Sequence, residues 1–465
     1  MFIRQYKIPK VNVYELWIML ILSVMIFELL YEPDINQLKS TGGILFLNVL
    51  GFGLLISEFL LLSFILWGLI YILGKKTKYF SKIIFAPKIY SPLPGIIFLL
   101  IAVSCVMGVF NPGFLALFRK NLLGCVFFIV YLNMPFSMRR EKYIYNILLI
   151  GVFMLVVASI ANYFNGVYLF NMIGHRQYIL LTTFIVIISF THLLFSKFSF
   201  KWLSIFLLGF LNLLYHIFLK SSIIAFILSA VVILIIKAKG NLYQFLKTVL
   251  LVSIITIGCY NLFFNTNIIN YIPSISKYGQ SFQDEIVRTV SSRIFKVDVL
   301  SLENLKAGIY TKDDILSVRK NIWGAYLNES YKGFGLAPYG FGYGGIFGIK
   351  LKIENQYYTQ GSHNMLIFFA LNSGLICALL ITILIIRYIY LNIKILSNLK
   401  SSTIYGYFTK EDLIGVFSFT VAMIGIAMFE GSIYNVHIAI PFWFCVAVLF
   451  KRWDMIYISR FTFNV

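Results

Sequence analysis

Long apolar blocks recur from one end of this chain to the other, at 14–30, 44–73, 94–110, 121–136, 145–160, 178–195, 200–214, 222–236, 246–264, 363–386, 413–428 and 437–450. A helix needs roughly 20 apolar residues to cross a bilayer, while a barrel strand needs only about 10. The blocks are too long for strands, and a helix satisfies its own backbone in lipid. The expectation is an all-α fold, a polytopic membrane bundle of about twelve transmembrane helices. Composition agrees: 60% of the residues are hydrophobic and 12% are charged, too few charges for a surface facing water. The block at 44–73 is long enough to tilt or to include an interfacial piece. The first block is followed by Tyr31-Glu32-Pro33-Asp34 with no small-residue cleavage site, and is read as a retained helix.

The net charge of +21 does not point to nucleic acid, because the basic residues sit in short clusters between apolar blocks. With the N-terminus inside, the inside segments carry 23 of the 39 Lys and Arg residues. The short outside loops carry five: Lys39, Arg119, Lys120, Arg176 and Lys220. The other 11 fall in one long outer segment, 265–362, where the positive-inside bias has little force. The chain thus divides into 1–264 with nine helices, the large extracytoplasmic loop 265–362, and 363–465 with three more, both termini cytoplasmic. The five cysteines lie in or beside apolar blocks and form no CxxC, so neither a disulfide framework nor a zinc site is expected.

A loop as long as 265–362 should carry elements of its own. Apolar spacing of three and four predicts a helix over 284–300. Thr311-Lys312-Asp313-Asp314 resembles a capping box opening a second helix, whose apolar face includes Trp323. Arg319 sits on that face. It reads either as a guanidinium snorkelling at the membrane surface or paired with a nearby acid, or as a phosphate ligand offering a planar fork of donors. The Gly- and aromatic-rich stretch 331–345 is either a turn-rich surface segment or a sugar-facing loop. The loop ends at Ser362-His363-Asn364, just before an apolar run. Ser362 is the expected N-cap, which puts His363 in the first turn of a membrane helix at the outer surface. The helix dipole there disfavours imidazolium, and a neutral histidine beside an anion site is what a general base requires. The alternative is a histidine that merely sits at the interface.

Taken in order, these elements resemble the O-antigen polymerase and O-antigen ligase family. They are Leu219-Lys220-Ser221-Ser222 at the outer end of a mid-chain helix, the large loop, Arg319-Lys320-Asn321-Ile322-Trp323, and Gly333-Phe334-Gly335. Ser362-His363-Asn364-Met365-Leu366 with Asn372-Ser373-Gly374 follows, then Phe429-Glu430-Gly431 leading into Ile440-Pro441-Phe442-Trp443. The resemblance covers roughly 212–450. One departure is Lys220, where ligases usually carry arginine; lysine neutralises phosphate as a point charge without the fork.

The resemblance implies a GT-C-like glycosyltransferase of the bacterial inner membrane. Such an enzyme takes glycan from undecaprenyl pyrophosphate on the outer face and joins it to an acceptor hydroxyl, with inversion and without metal or cofactor. Arg319, Lys220 and Arg176 are the expected pyrophosphate ligands, with Arg119 a weaker candidate. His363 is the expected base, and Asn364, Glu430 and Trp323 are supporting residues. The implied partners are the lipid-linked glycan, the bilayer, and chain-length regulator and flippase proteins. The leading expectation is a polymerase, the alternative a ligase loading lipid A–core. The remote alternative is a transporter of lipid-linked oligosaccharide, for which Glu58 and His192 inside apolar blocks are the relevant residues.

Overall fold

The computed structural model describes residues 13–31, 46–49, 52–76, 90–107, 123–134, 138–165, 175–196, 198–215, 220–238, 349–353, 356–360, 364–399, 407–428 and 436–462. Their helices are α1 (Val13–Tyr31), α2 (Ile56–Lys76), α3 (Leu93–Met107), α4 (Leu123–Asn133), α5 (Met138–Asn165) and α6 (His175–Phe195). Then come α7 (Phe200–Tyr215), α8 (Lys220–Ala238), α9 (Met365–Ser373), α10 (Leu375–Asn398), α11 (Lys410–Ala427) and α12 (Val436–Thr462). Two antiparallel hairpins complete the set, β1 (Phe46–Val49) with β2 (Phe52–Leu55) and β3 (Ile349–Ile353) with β4 (Gln356–Gln360).

Four of the described helices are long and apolar enough to cross a membrane: Val13–Leu30, Ile56–Gly74, Arg139–Ala161 and Leu375–Asn398. Their outward faces are apolar at helical spacing. Examples are Leu16, Leu20 and Phe27 on α1, Leu66 and Ile70 on α2, Ile150 and Met154 on α5, and Leu379, Ile383 and Ile386 on α10, all exposed. Stripes of this kind are unfavourable in water and favourable against lipid. The described helices α3, α4 and α6 to α8 are apolar over shorter stretches.

Two expectations about the spans need correction, and a third takes one of its two forms. The block at 44–73, expected to tilt or to include an interfacial piece, does hold a separate piece: the β1–β2 hairpin fills its first third and the helix begins only at Ile56. Apolar content alone does not separate a short hairpin from a helical turn. The block at 363–386 is interrupted: α9 ends at Ser373, and Gly374 takes φ 93°, a backbone conformation that costs glycine little and other residues more. The helix cap forecast at Ser362 belongs to Asn364, whose Oδ1 accepts from the Ile367 N–H at 3.0 Å, so the helix begins at Met365 and its first turn does not contain His363 as forecast. The block at 246–264 and the helices forecast for the large loop lie outside the described residues.

Chain direction alternates from helix to helix, and side-chain contacts show it. One end of the bundle gathers the starts of α1, α3, α5, α7 and α11 with the ends of α2, α4, α6, α8, α10 and α12. There Tyr14 meets Tyr71 at 5.7 Å between ring centroids, and Arg140 pairs with Glu15. His192 stacks on Trp202 at 4.0 Å, Lys237 donates to the Leu194 carbonyl, and Lys410 donates to the Leu399 carbonyl. Lys451 lies over the Tyr131 ring at 4.5 Å. Asn392 donates to the Tyr90 hydroxyl at 3.1 Å and accepts from Trp453 Nε1 at 2.6 Å. We call this the basic end and its opposite the far end. α9 precedes α10 across Gly374, and α10, long enough to cross a membrane by itself, ends at the basic end.

Candidate functional site

The far end carries the sequence positions singled out for chemistry, so far as they fall among the described residues. Lys220 is the first residue of α8 and Arg176 lies in the first turn of α6, both helices starting at the far end. Asn364 caps α9 at the same end. Its side chain does two things: Oδ1 accepts from Ile367, and Nδ2 donates to the Met428 carbonyl at 2.9 Å, tying the start of α9 to the end of α11. His363, Arg319, Trp323, Glu430 and Arg119 lie outside the described residues. The structure therefore places three helix starts, bearing Arg176, Lys220 and Asn364, at the same end of the bundle. Helix N-termini present free N–H groups and a partial positive charge, which suits anions.

Immediately beside the Asn364 cap an apolar slot opens between helices. Its volume is about 190 Å³. Met365 and Phe369 of α9 line it near the far end, with Ile381 and Leu384 of α10, Phe128 of α4 and Ile97 of α3 further down. From α12 come Ala439, Phe442, Trp443, Val446 and Phe450. At 1.5 Å per residue, the stretch from Ala439 to Phe450 gives the slot a length of about 16 Å. Its floor towards the basic end is aromatic, with Tyr90 stacked on Phe450 at 4.8 Å. Tyr388 lines this floor and spends its hydroxyl on Thr420 at 2.8 Å. A slot of this lining offers water almost nothing to bond and suits apolar groups.

A second far-end feature escaped the sequence reading. Glu28, near the end of α1, accepts from the Ser57 N–H at 2.8 Å and the Ser57 hydroxyl at 2.5 Å. His437, at the start of α12, places Nε2 3.0 Å from the Glu28 carboxylate. The carboxylate is fully buried and the histidine nearly so, at 0% and 2% exposure. The available signal was an acid inside one apolar block and a histidine opening another, since ionisable groups at such positions are costly. Glu58, noted in the sequence, is buried in the first turn of α2 beside Ser57. His192, the other, belongs to the basic end, where its Nε2 lies 3.2 Å from Asp412. No group of three or more His, Cys, Asp or Glu side chains able to hold a metal lies among the described residues.

No family model and no curated protein matches this chain. The reading of the site rests on its residues.

Proposed function

We propose that this chain is a multi-pass glycosyltransferase of the bacterial cytoplasmic membrane that lengthens a lipid-linked polysaccharide. The observation that carries the proposal is the apolar slot whose far-end wall is the first turn after Asn364, with the helix starts of Arg176 and Lys220 at the same end. A polyprenyl pyrophosphate has these two demands, a hydrocarbon tail needing an apolar slot and a diphosphate needing cations and N–H groups. In this reading the excess of Lys and Arg places the basic end in the cytoplasm and the far end, with Met365 and Phe369 of the slot, outside.

In this reading the acceptor hydroxyl oxygen attacks the anomeric carbon of the donor sugar. The bond from that carbon to the pyrophosphate oxygen breaks, and undecaprenyl pyrophosphate leaves with the electron pair. His363 takes the hydroxyl proton. Arg319, Lys220 and Arg176 neutralise the leaving diphosphate, and preorganised cations of this kind commonly give the largest catalytic effect. Asn364 fixes the helix start next to His363, and Trp323 and Glu430 support the sugar and the cations.

The test is the acceptor. Purified protein given only undecaprenyl pyrophosphate-linked repeat should build a ladder of longer lipid-linked products. A deletion strain that instead leaves long chains on undecaprenyl pyrophosphate and a bare lipid A–core would make the chain a ligase. A second reading, a transporter of lipid-linked oligosaccharide, is favoured by two observations: the helix break at Gly374 and the buried Glu28–His437 pair. Discontinuous helices and buried ionisable residues are common in transporters. Reconstituted protein that moves the lipid-linked repeat across a vesicle without lengthening it would establish that reading.

A further inference from the structure

The first turns of α12 form part of the slot's wall, through Ala439, Phe442 and Trp443. Residue 441 within them is proline. Proline has no N–H, so the His437 carbonyl lacks the helical donor four residues on, and the turn above Pro441 is tied more weakly to the helix below it. The His437 side chain leaves the helix about 200° away from Ala439, given 3.6 residues per turn. It reaches Glu28 of α1, which Ser57 of α2 also holds. The pair is therefore the lateral tie of a helical turn whose axial tie is reduced. A buried carboxylate costs several kcal/mol unless it is paired and hydrogen-bonded, so the contact strongly resists separation.

We infer that Glu28 and His437 form a latch that holds the turn above Pro441 against α1 and α2 and so fixes the wall of the slot near the far end. The inference concerns entry to the slot, and it stands whichever apolar chain enters. Released from the latch, the 437–440 turn loosens and the slot becomes more accessible from the far end.

Two cysteines report this directly. Cys125 lines the slot and is partly exposed, whereas Cys445 is buried in α12 below Pro441. The full-length protein in nanodiscs is treated with N-ethylmaleimide, and modification of each cysteine is followed by peptide mass spectrometry. His437→Ala and Glu28→Ala should raise the rate at Cys125 about tenfold, as expected on losing a hydrogen bond to a charged group, with Cys445 still protected. His437→Gln, whose amide can donate to Glu28, should stay near the wild-type rate. An unchanged Cys125 rate in both alanine variants overturns the latch. So does reaction at Cys445 in those variants, or failure of both to fold, because the pair would then hold the whole bundle. A His437→Gln variant as reactive as His437→Ala overturns it as well. None of these readings depends on glycan transfer, so the latch can fail while the proposed activity stands, and the reverse.

Discussion

The two ends of this bundle use charge in opposite ways. At the basic end the acids are shared. Glu141 holds both Lys451 and Arg452, Glu15 holds Arg140, and Asp412 holds Lys142, Tyr145 and His192. These contacts join α1, α5, α6, α11 and α12. Aromatic rings extend them, with Arg452 4.6 Å and Lys142 5.0 Å from the Phe408 ring. At the far end the described polar features include the buried Glu28–His437 pair with Ser57, the buried Glu58, the Asn364 cap and helix starts bearing Lys220 and Arg176. The described cations at the basic end hold helices together, whereas those at the far end are the ones to which the proposed function gives a ligand. Substitutions should therefore cost stability at one end and activity at the other.

The largest effect on stability is expected at Glu141. Arg452 is fully buried, and among the described residues its Nε and Nη2 have no hydrogen-bond partner, so Glu141 is its main compensation. Removing one partner of a buried ion pair typically costs about 3–5 kcal/mol. Glu141→Ala should lower the thermal midpoint in detergent by more than any single far-end substitution. A midpoint within a degree of wild type would remove the distinction between the two ends.

Asp412 sharpens the same point through pH. It stands in the first turn of α11, ahead of the apolar stretch, and forms a capping box with Thr409. Burial alone would raise its carboxyl; the hydrogen bond to His192 and the charge of Lys142 outweigh burial and hold it below the ordinary carboxylate range. A depressed acid contributes stability above its unfolded value, and that contribution is lost as pH falls towards the folded value. The difference in midpoint between wild type and Asp412→Asn should thus be constant from neutrality down to about pH 4, the ordinary aspartate value, and shrink only below it. A difference that disappears between pH 7 and 5 would show that Asp412 is not held in this way.

Hydropathy made most of the helices legible, because an apolar block has little alternative to a helix in lipid. It failed where composition is uniform but geometry is not. Phe46–Leu55 reads as part of a long span, yet two strands pair there. Asn372-Ser373-Gly374 reads as a motif, yet its structural consequence is the break at Gly374. Long-range pairs were invisible for a simpler reason. Glu28 and His437 are 409 positions apart, and Glu141 and Arg452 are 311 apart. Arg140, Lys142, Lys451 and Arg452 were read as markers of topology; burial makes them structural ties as well. The candidate site was legible as an order of motifs, and of its residues the structure positions the backbone of Arg176 and Lys220 and the whole of Asn364.

A smaller loss is expected at Asn364. Asn364→Ala removes a helix cap and the tie to Met428, and a lost cap costs about 1 kcal/mol. Asn364→Asp keeps an oxygen for the Ile367 N–H but has no donor for the Met428 carbonyl, so it should fall between alanine and wild type in thermal midpoint. Both should reduce glycan transfer by more than their midpoints suggest, because the cap sets the helix start next to His363. Transfer that follows stability alone would make Asn364 only a structural tie.

The smallest effect on stability is expected at Lys220, and it draws the contrast most sharply. The residue opens α8 at the far end, where a positive charge is disfavoured by the helix dipole and stabilising cations are expected at the other terminus. Removing the charge should therefore leave the thermal midpoint of Lys220→Ala within about 0.5 kcal/mol of wild type, the range of ordinary surface changes. A cation kept where the helix itself disfavours it needs another reason, and an incoming diphosphate supplies one. Lys220→Ala should consequently lose most transfer activity and weaken donor binding, measured with undecaprenyl pyrophosphate. Lys220→Arg should restore both, since either side chain neutralises phosphate and arginine adds the fork. If Lys220→Ala transfers glycan normally, the far end contains no diphosphate site at this helix start, and the division between a structural end and a working end has to be drawn elsewhere.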